Sequence, residues 1–185
     1  MAAGYEVTFL VRDPVRLTLN HDKLYLVIGD VLNLDKVEEA LAGSEAVCCT
    51  LGNTANNPDF VVSDGTRNII EGMTKQGIER LVVVSALGVG DSREQVSLPF
   101  KMIMKTVLRK AYEDKERQEQ LVRNSNLDWV IVRPGGLTNG PATGEYTYGL
   151  DPSIGGGQVS RADVAAFVLQ QLKEDTFLYQ TPAIA

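Results

Sequence analysis

The sequence predicts a single α/β domain, residues 1–185, built on a doubly wound parallel sheet. Short apolar runs rich in β-branched residues alternate along the chain with longer helical patterns, and no linker or internal repeat interrupts them. This alternation is typical of right-handed βαβ crossovers, which place the strands parallel to one another. The run at 81–84 is continuously apolar, as expected of a strand that is covered on both faces.

Six segments have the composition of strands, and turn-forming residues close most of them. The first ends at Arg12-Asp13-Pro14, the second at Gly29-Asp30, and the third runs into a polar loop that reaches Pro58. The predicted strands are 5–11, 24–28, 46–51, 81–84 and 129–132, with 176–179 as an edge strand.

Capping residues delimit the predicted helices. Asn33 is a candidate N-cap for a helix that ends at residue 41, with Gly43 as its stop. A second helix, 64–76, has Gly77 after it, and Ser160 with Asp163 starts a helix that runs to about residue 173. A long helical pattern covers 98–124, whereas residues 155–157 read as a flexible glycine loop.

The composition argues against several classes of function. A net charge of −6 argues against general binding to nucleic acid or to a membrane surface. We find no apolar run that could span a bilayer and no signal-peptide pattern, so we expect a cytoplasmic protein. Cys48 and Cys49 should point to opposite faces of one strand, which argues against a mutual disulfide. A single histidine and no cysteine–histidine cluster leave no metal site to predict.

Short motifs in a fixed order cover nearly the whole chain. Together they resemble the atypical short-chain dehydrogenase/reductases, the NAD(P)-binding or NmrA-like proteins, nearest the biliverdin reductase B (flavin reductase) branch. The matching segments include Gly4-Tyr5-Glu6-Val7, Leu10-Val11-Arg12-Asp13-Pro14, Gly29-Asp30-Val31, Thr50-Leu51-Gly52, Val82-Val83-Val84-Ser85-Ala86, residues 115–119, residues 127–136 and Ser160-Arg161-Ala162-Asp163-Val164-Ala165.

The resemblance implies a Rossmann-like sheet whose first strand, glycine-rich phosphate turn and first helix do not appear in this sequence. We therefore expect a chain shortened by one βα unit, roughly two dozen residues. The segment that precedes Gly4 resembles the end of that helix. Because a glycine-rich turn at a helix N-terminus supplies much of the affinity for a pyrophosphate, one reading is that this chain binds no cofactor.

The resemblance places the adenosine ribose near Arg12 and Arg16. A guanidinium there accommodates a 2′-phosphate, which favours NADP over NAD, with NAD as the second option. The other reading is that both arginines are solvated loop residues. Asp30 would accept from the adenine amino group and Val31 would pack on the ring, unless Asp30 serves only a turn.

Leu51 and Gly52 follow the third strand at the ligand edge of the sheet, where Gly52 lets a backbone approach closely or simply forms a turn. Pro134, Gly135 and Gly136 resemble the loop that walls the nicotinamide pocket. Segment 98–108 is the candidate wall on the substrate side, although its Met and Phe side chains more often mean core packing.

The candidate catalytic residues are Ser85, Tyr112 and Lys115. Short-chain dehydrogenases pair a tyrosine with a lysine four residues later, which lowers the tyrosine pKa. Here the spacing is three, since Ala111 lies four residues before Lys115, and a partly buried helix aromatic is the favoured reading of Tyr112. Lys115 would hold the nicotinamide ribose.

The resemblance therefore implies an NADP-dependent oxidoreductase that transfers hydride to a small planar, flavin-like or quinone-like substrate. The biliverdin reductase B branch, which lacks the tyrosine–lysine pair, fits that assignment. The alternative is an NADP-binding sensor or scaffold of the NmrA-like type, which needs no proton donor near the nicotinamide. Neither reading fixes the oligomeric state.

Overall fold

The strands and helices of the computed structural model alternate as the sequence predicts. It describes residues 4–54 and 59–185, so the opening residues 1–3 and part of the predicted polar loop lie outside the described chain, as does the side chain of Arg16. The strands are β1 (Val7–Val11), β2 (Leu24–Ile28), β3 (Ala46–Cys49), β4 (Arg80–Val84), β5 (Asp128–Pro134), β6 (Gly136–Thr138), β7 (Tyr148–Gly149), β8 (Gln158–Ser160) and β9 (Ala183–Ile184). The helices are α1 (Leu34–Leu41), α2 (Val61–Gln76), α3 (Leu98–Lys105), α4 (Arg109–Arg123) and α5 (Arg161–Gln171), with 3₁₀ turns at Pro14–Arg16 and Gly90–Gln95.

Parallel pairing dominates the sheets. The largest sheet has the order β3-β4-β5-β9-β7, while β1 pairs with β2 and β6 pairs with β8 in two smaller sheets. Every pair is parallel except β7 with β9. The predicted α/β class is confirmed, and its crossovers run through helices.

Helices cover the main sheet on both of its faces. One core cluster joins α1, α2 and α4 to side chains such as Leu81, Val83 and Ile131. A second cluster joins α5 to Val82 and Val130, which point the other way. Successive side chains of β4 point to opposite faces of the sheet, and helices cover both faces, which explains why every residue of 81–84 is apolar. The doubly wound arrangement is confirmed.

The ladder is interrupted between β1 and β3. Within the described residues, β1 has its ladder bonds with β2 and β3 has its ladder bonds with β4. An additional strand between them, as the sequence resemblance implies, would join the two sheets. That strand stays a prediction.

The predicted caps form as expected. Asn33 Oδ1 accepts from the backbone N–H of Lys36 at 3.3 Å, and Ser160 Oγ accepts from that of Asp163 at 3.0 Å. Gly77 has a φ of 70° and its N–H bonds the last carbonyls of α2, which is the role that favours glycine at a helix end. Cys48 is exposed and Cys49 buried, so the two thiols do lie on opposite faces and are free.

Two elements differ from the prediction. The pattern over 98–124 forms two helices: the backbone leaves the helical conformation at Thr106, with φ −112° and ψ −81°, and its hydroxyl donates to Met102 O at 2.9 Å. The predicted edge strand 176–179 is wrong: these residues form a turn, while β9 pairs with β5 and β7 lies at that edge of the sheet. The aromatic side chains of Phe177 and Tyr179 pack against Phe167 and Trp129 instead.

Asp163 fastens the loop before β7 to the start of α5. Its carboxylate accepts from the N–H groups of Gly144 and Thr143 and from the hydroxyl of Ser160. The Gly144 N–H, followed by Ser160, lowers the pKa of Asp163 to about 2.

We expect Asp163→Asn to lower the free energy of unfolding at neutral pH. Because the folded pKa lies below the unfolded value of about 3.9, the stabilisation is complete above about pH 4 and is lost as the pH falls toward about 2. Urea unfolding of both proteins across this range measures the difference. A loss of equal size at neutral pH and near pH 2 would contradict the assignment.

Candidate functional site

Most of the predicted site residues follow the carboxyl ends of parallel strands. Arg12 comes after β1, Asp30 after β2 and Leu51 after β3, while Ser85 follows β4 and Pro134 ends β5. In open α/β sheets the ligand crevice lies outside these carboxyl ends. The fold therefore places the motif residues along the edge where a ligand is expected.

Arg12 and Asp30 lie side by side on this edge. Arg12 Nη1 is 4.0 Å from Asp30 Oδ2, and both side chains are about half exposed. Asp30 Oδ1 accepts from the N–H of Leu32 at 2.9 Å, so the turn role of Asp30 is real and occupies one carboxylate oxygen. Arg16 belongs to the 3₁₀ turn, with its side chain outside the described part.

A glycine of α2 sets the position of two predicted wall residues. A Cβ on Gly65 would lie 2.6 Å from Val31 Cγ1 and 3.0 Å from Leu51 Cδ1. Asn68 also donates to Val31 O at 2.9 Å. Sequence reasoning missed Gly65 and Asn68, although a glycine inside a helix is a known signal of close packing. Among the described residues, a Cβ on Gly52 would meet no heavy atom within 4 Å.

Lys115 reaches the same edge from α4. Its Nζ donates to Val84 O at 3.1 Å and to Leu51 O at 3.4 Å, which joins the ends of β3 and β4. Burial lowers the pKa of Lys115, and the nearby Cys49 and Glu119 act in the opposite direction. The ammonium group is therefore fixed among carbonyl oxygens and not on Tyr112.

Ser85 belongs to a buried ionic network. Its hydroxyl donates to Glu119 Oε1 at 2.6 Å. Arg133 donates two hydrogen bonds to the same carboxylate, from Nε to Oε1 at 3.0 Å and from Nη2 to Oε2 at 2.6 Å. Both charged side chains are almost fully buried. Asp91 lies 2.7 Å from Arg133 on the solvent side. The Ser85 proton therefore points to Glu119, a partner that the sequence reading did not single out.

Tyr112 also donates within the protein. Its hydroxyl bonds Leu87 O at 3.1 Å, its ring lies edge-on to Phe100, and burial raises its pKa. These contacts match the partly buried helix aromatic that the sequence favoured.

Close packing against Gly157 explains why a glycine occupies position 135 after Pro134. A Cβ on Gly135 would lie 2.5 Å from Gly157 O, and the Gly136 N–H donates to the same oxygen at 2.8 Å. Their contact with a cofactor stays a prediction, as do the other assigned cofactor and catalytic roles.

Segment 98–108 contributes to core packing, and its role as a wall on the substrate side stays a prediction. Met104 is buried against Gly88, and Phe100 packs on Tyr112. Beside them α3 and α4 enclose an open cavity of 560 Å³. Its lining residues are Arg93, Glu94, Lys101, Met104, Lys105, Arg109, Tyr112, Glu113 and Glu116.

The described residues contain neither a membrane-spanning helix nor a cluster of metal ligands. Over 4–54 and 59–185, no helix combines the length and the apolar character needed to cross a bilayer. In the same ranges, histidine, cysteine and acidic side chains form no group of three that could hold a metal ion.

Known proteins are similar to this chain in sequence and in fold. A chloroplastic protein of Arabidopsis thaliana, itself uncharacterised, is 29% identical over 185 residues, 95% of this chain. An anaerobilin reductase of Escherichia coli O157:H7 superposes with a TM-score of 0.72 at 28% identity, over 87% of this chain and 74% of its own. A short-chain dehydrogenase/reductase of Veillonella parvula, solved with NADP, has a TM-score of 0.80 at 18% identity, over 97% and 82%, which shows the fold.

The chain spans 66% of the length of the Arabidopsis relative and 62% of a second relative, from Bacillus subtilis. A family model described as NAD(P)H-binding matches residues 1–175. The resemblance drawn from these motifs is confirmed by this match. The chain accordingly belongs to the NAD(P)H-binding family.

Proposed function

We propose that this protein is an NADPH-dependent reductase of a small planar acceptor. The observation that carries the NADP preference is the guanidinium of Arg12, about half exposed at the carboxyl end of β1. The neighbouring Asp13 accepts from Val15 N at 3.1 Å and so starts the next turn. An arginine at this point accommodates a 2′-phosphate, whereas NAD-binding folds present a carboxylate to the ribose.

The residues along the edge fit a dinucleotide. Asp30 has one carboxylate oxygen directed to Arg12, and Val31 and Leu51 pack around Gly65 as an apolar wall. Lys115 would hold the ribose hydroxyls on the nicotinamide side. The cofactor, when bound, supplies a hydride, and the protein's part is to bind and orient it.

The direction of the side-chain protons supports a flavin-like or quinone-like acceptor. The hydroxyl of Ser85 donates to Glu119 Oε1, and the hydroxyl of Tyr112 donates to Leu87 O. A carbonyl substrate usually needs a positioned acid. A flavin or quinone takes up its protons from water after hydride transfer, so it needs none.

The proposal is tested by calorimetry with NADPH and NADH, followed by NADPH oxidation with riboflavin or menadione as acceptor. We expect NADPH to bind more tightly and the acceptor to be consumed. Failure to bind either nucleotide overturns the proposal.

Replacement of Tyr112 by phenylalanine tests the proton source. We expect Tyr112→Phe to leave the rate of acceptor reduction nearly unchanged, because this hydroxyl donates to a backbone carbonyl. Steady-state kinetics with menadione measures it, with a melting curve to show that the variant is folded. A fall of about a hundredfold, the scale of losing a general acid, would instead make Tyr112 the proton donor.

The second candidate is an NADP-binding sensor or scaffold without turnover. The Ser85 and Tyr112 hydroxyls both donate within the protein, which favours this function because a regulator requires no proton donor near the nicotinamide. NADPH binding of ordinary affinity, with neither riboflavin nor menadione reduced, would select this function.

A further inference from the structure

The charge of this acidic protein is unevenly distributed. Residues 98–110, which comprise α3, its connection and the start of α4, contain four basic residues and no acidic one. Since the net charge is −6, the remainder of the chain carries −10. We call residues 98–110 the basic apolar segment.

This segment also exposes large apolar side chains. Val107 is 82% exposed, Leu98 76% and Met102 63%, which places them among the most exposed large hydrophobic residues described. The helix is nevertheless anchored, because Met104 is buried and Phe100 packs on Tyr112 from its opposite side. The exposed apolar face is therefore held in place by its buried one.

The cavity beside α3 and α4 is lined by basic residues of this segment, Lys101, Lys105 and Arg109, together with Glu94, Glu113 and Glu116. Lys101 and Lys110 form exposed ion pairs with Glu94 and Asp59, and such pairs are weak in water. Within the described residues, no acidic group lies within 4.0 Å of the charged atoms of Lys105 or Arg109. Long cationic side chains beside an apolar helix face are the signature of a helix that lies in a lipid interface.

We propose that the basic apolar segment docks this protein on the surface of an anionic lipid bilayer. Met102, Leu98 and Val107 would enter the headgroup boundary, while Lys105 and Arg109 pair with lipid phosphates. The acidic remainder would be repelled from the same surface, which orients the molecule. This inference does not depend on the proposed cofactor chemistry.

Charge favours lipid over a second copy of the chain. A symmetric dimer through this face would bring the same cations of two copies together, and like charges oppose such contacts. An anionic bilayer supplies both an apolar layer and negative charge.

Sedimentation with sucrose-loaded vesicles tests the docking. We expect binding to vesicles of phosphatidylcholine with phosphatidylglycerol, and at least about tenfold weaker binding to phosphatidylcholine alone. Binding should fall between about 0.1 M and about 1 M salt, where the Debye length shrinks from about 10 Å to about 3 Å.

Two variants separate the contributions of the face. Lys105→Gln with Arg109→Gln should weaken binding roughly fivefold per charge removed. Met102→Gln with Val107→Gln should weaken it while the melting temperature stays unchanged. The matched controls, Lys36→Gln with Arg67→Gln and, on α5, Leu169→Gln, should bind like the parent.

Equal binding to both vesicle types, no binding to anionic vesicles at low salt, or losses as large in the controls would overturn the proposal. A lipid-free dimer that Met102→Gln with Val107→Gln dissociates would overturn it as well, since the face would then serve self-association.

Discussion

We expect Glu119→Ala to lower the free energy of unfolding by about 3–5 kcal/mol, the typical cost of breaking a buried ion pair from one side. Glu119 and Arg133 are both almost fully buried and share two hydrogen bonds. Without Glu119, the acidic partner left to the guanidinium among the described residues is the exposed Asp91, and the Ser85 hydroxyl loses its acceptor. Chemical denaturation of the parent and the variant at neutral pH measures the loss.

The matched control is Glu113→Ala on the same helix. Glu113 forms an exposed pair with Arg117 at 3.4 Å, so its loss should cost no more than about 1 kcal/mol. Glu119→Met combined with Arg133→Met should recover much of the stability, because no charge is then left buried alone. Similar losses for Glu119→Ala and Glu113→Ala would show that the network contributes little.

Arg12→Ala should weaken NADPH binding about 10- to 100-fold and change NADH binding little. The removed group would make charged hydrogen bonds to a phosphate that only NADPH carries. Calorimetric titration of both nucleotides gives the two ratios.

Lys75→Ala is the control for Arg12→Ala. Lys75 is an exposed cation in the last turn of α2, remote from the carboxyl ends of the strands. Its removal should leave both affinities unchanged. Equal losses of NADPH and NADH on Arg12→Ala would remove the 2′-phosphate assignment.

Part of the site was predictable because the motif residues come directly after strands, and the carboxyl ends of parallel strands lie on one edge of the sheet. Arg12, Asp30 and Leu51 reach a common edge once the strands are known to be parallel. The partners of the hydroxyls were not predictable. Ser85 is 34 residues from Glu119, and Tyr112 is 25 residues from Leu87. Such pairs depend on how α4 packs against the ends of β4 and β5.

Helix α2 shows the same limit for secondary structure. The sequence predicted a start at residue 64, but the helix begins at Val61. The N–H groups of Val62 and Ser63 are satisfied by the buried carboxylate of Asp114, which comes from α4. A cap delivered from a distant helix leaves no local signal, unlike the side-chain caps at Asn33 and Ser160.

The sequence by itself determined the α/β class, the five main strands, most helix ends and the membership suggested by its motifs, because these depend on short-range periodicity and capping. The tertiary structure alone decided the turn at 176–179 and the direction of each candidate proton donor. Those outcomes depend on which buried polar groups and aromatic rings meet across the fold, and burial forces each of them to find a partner.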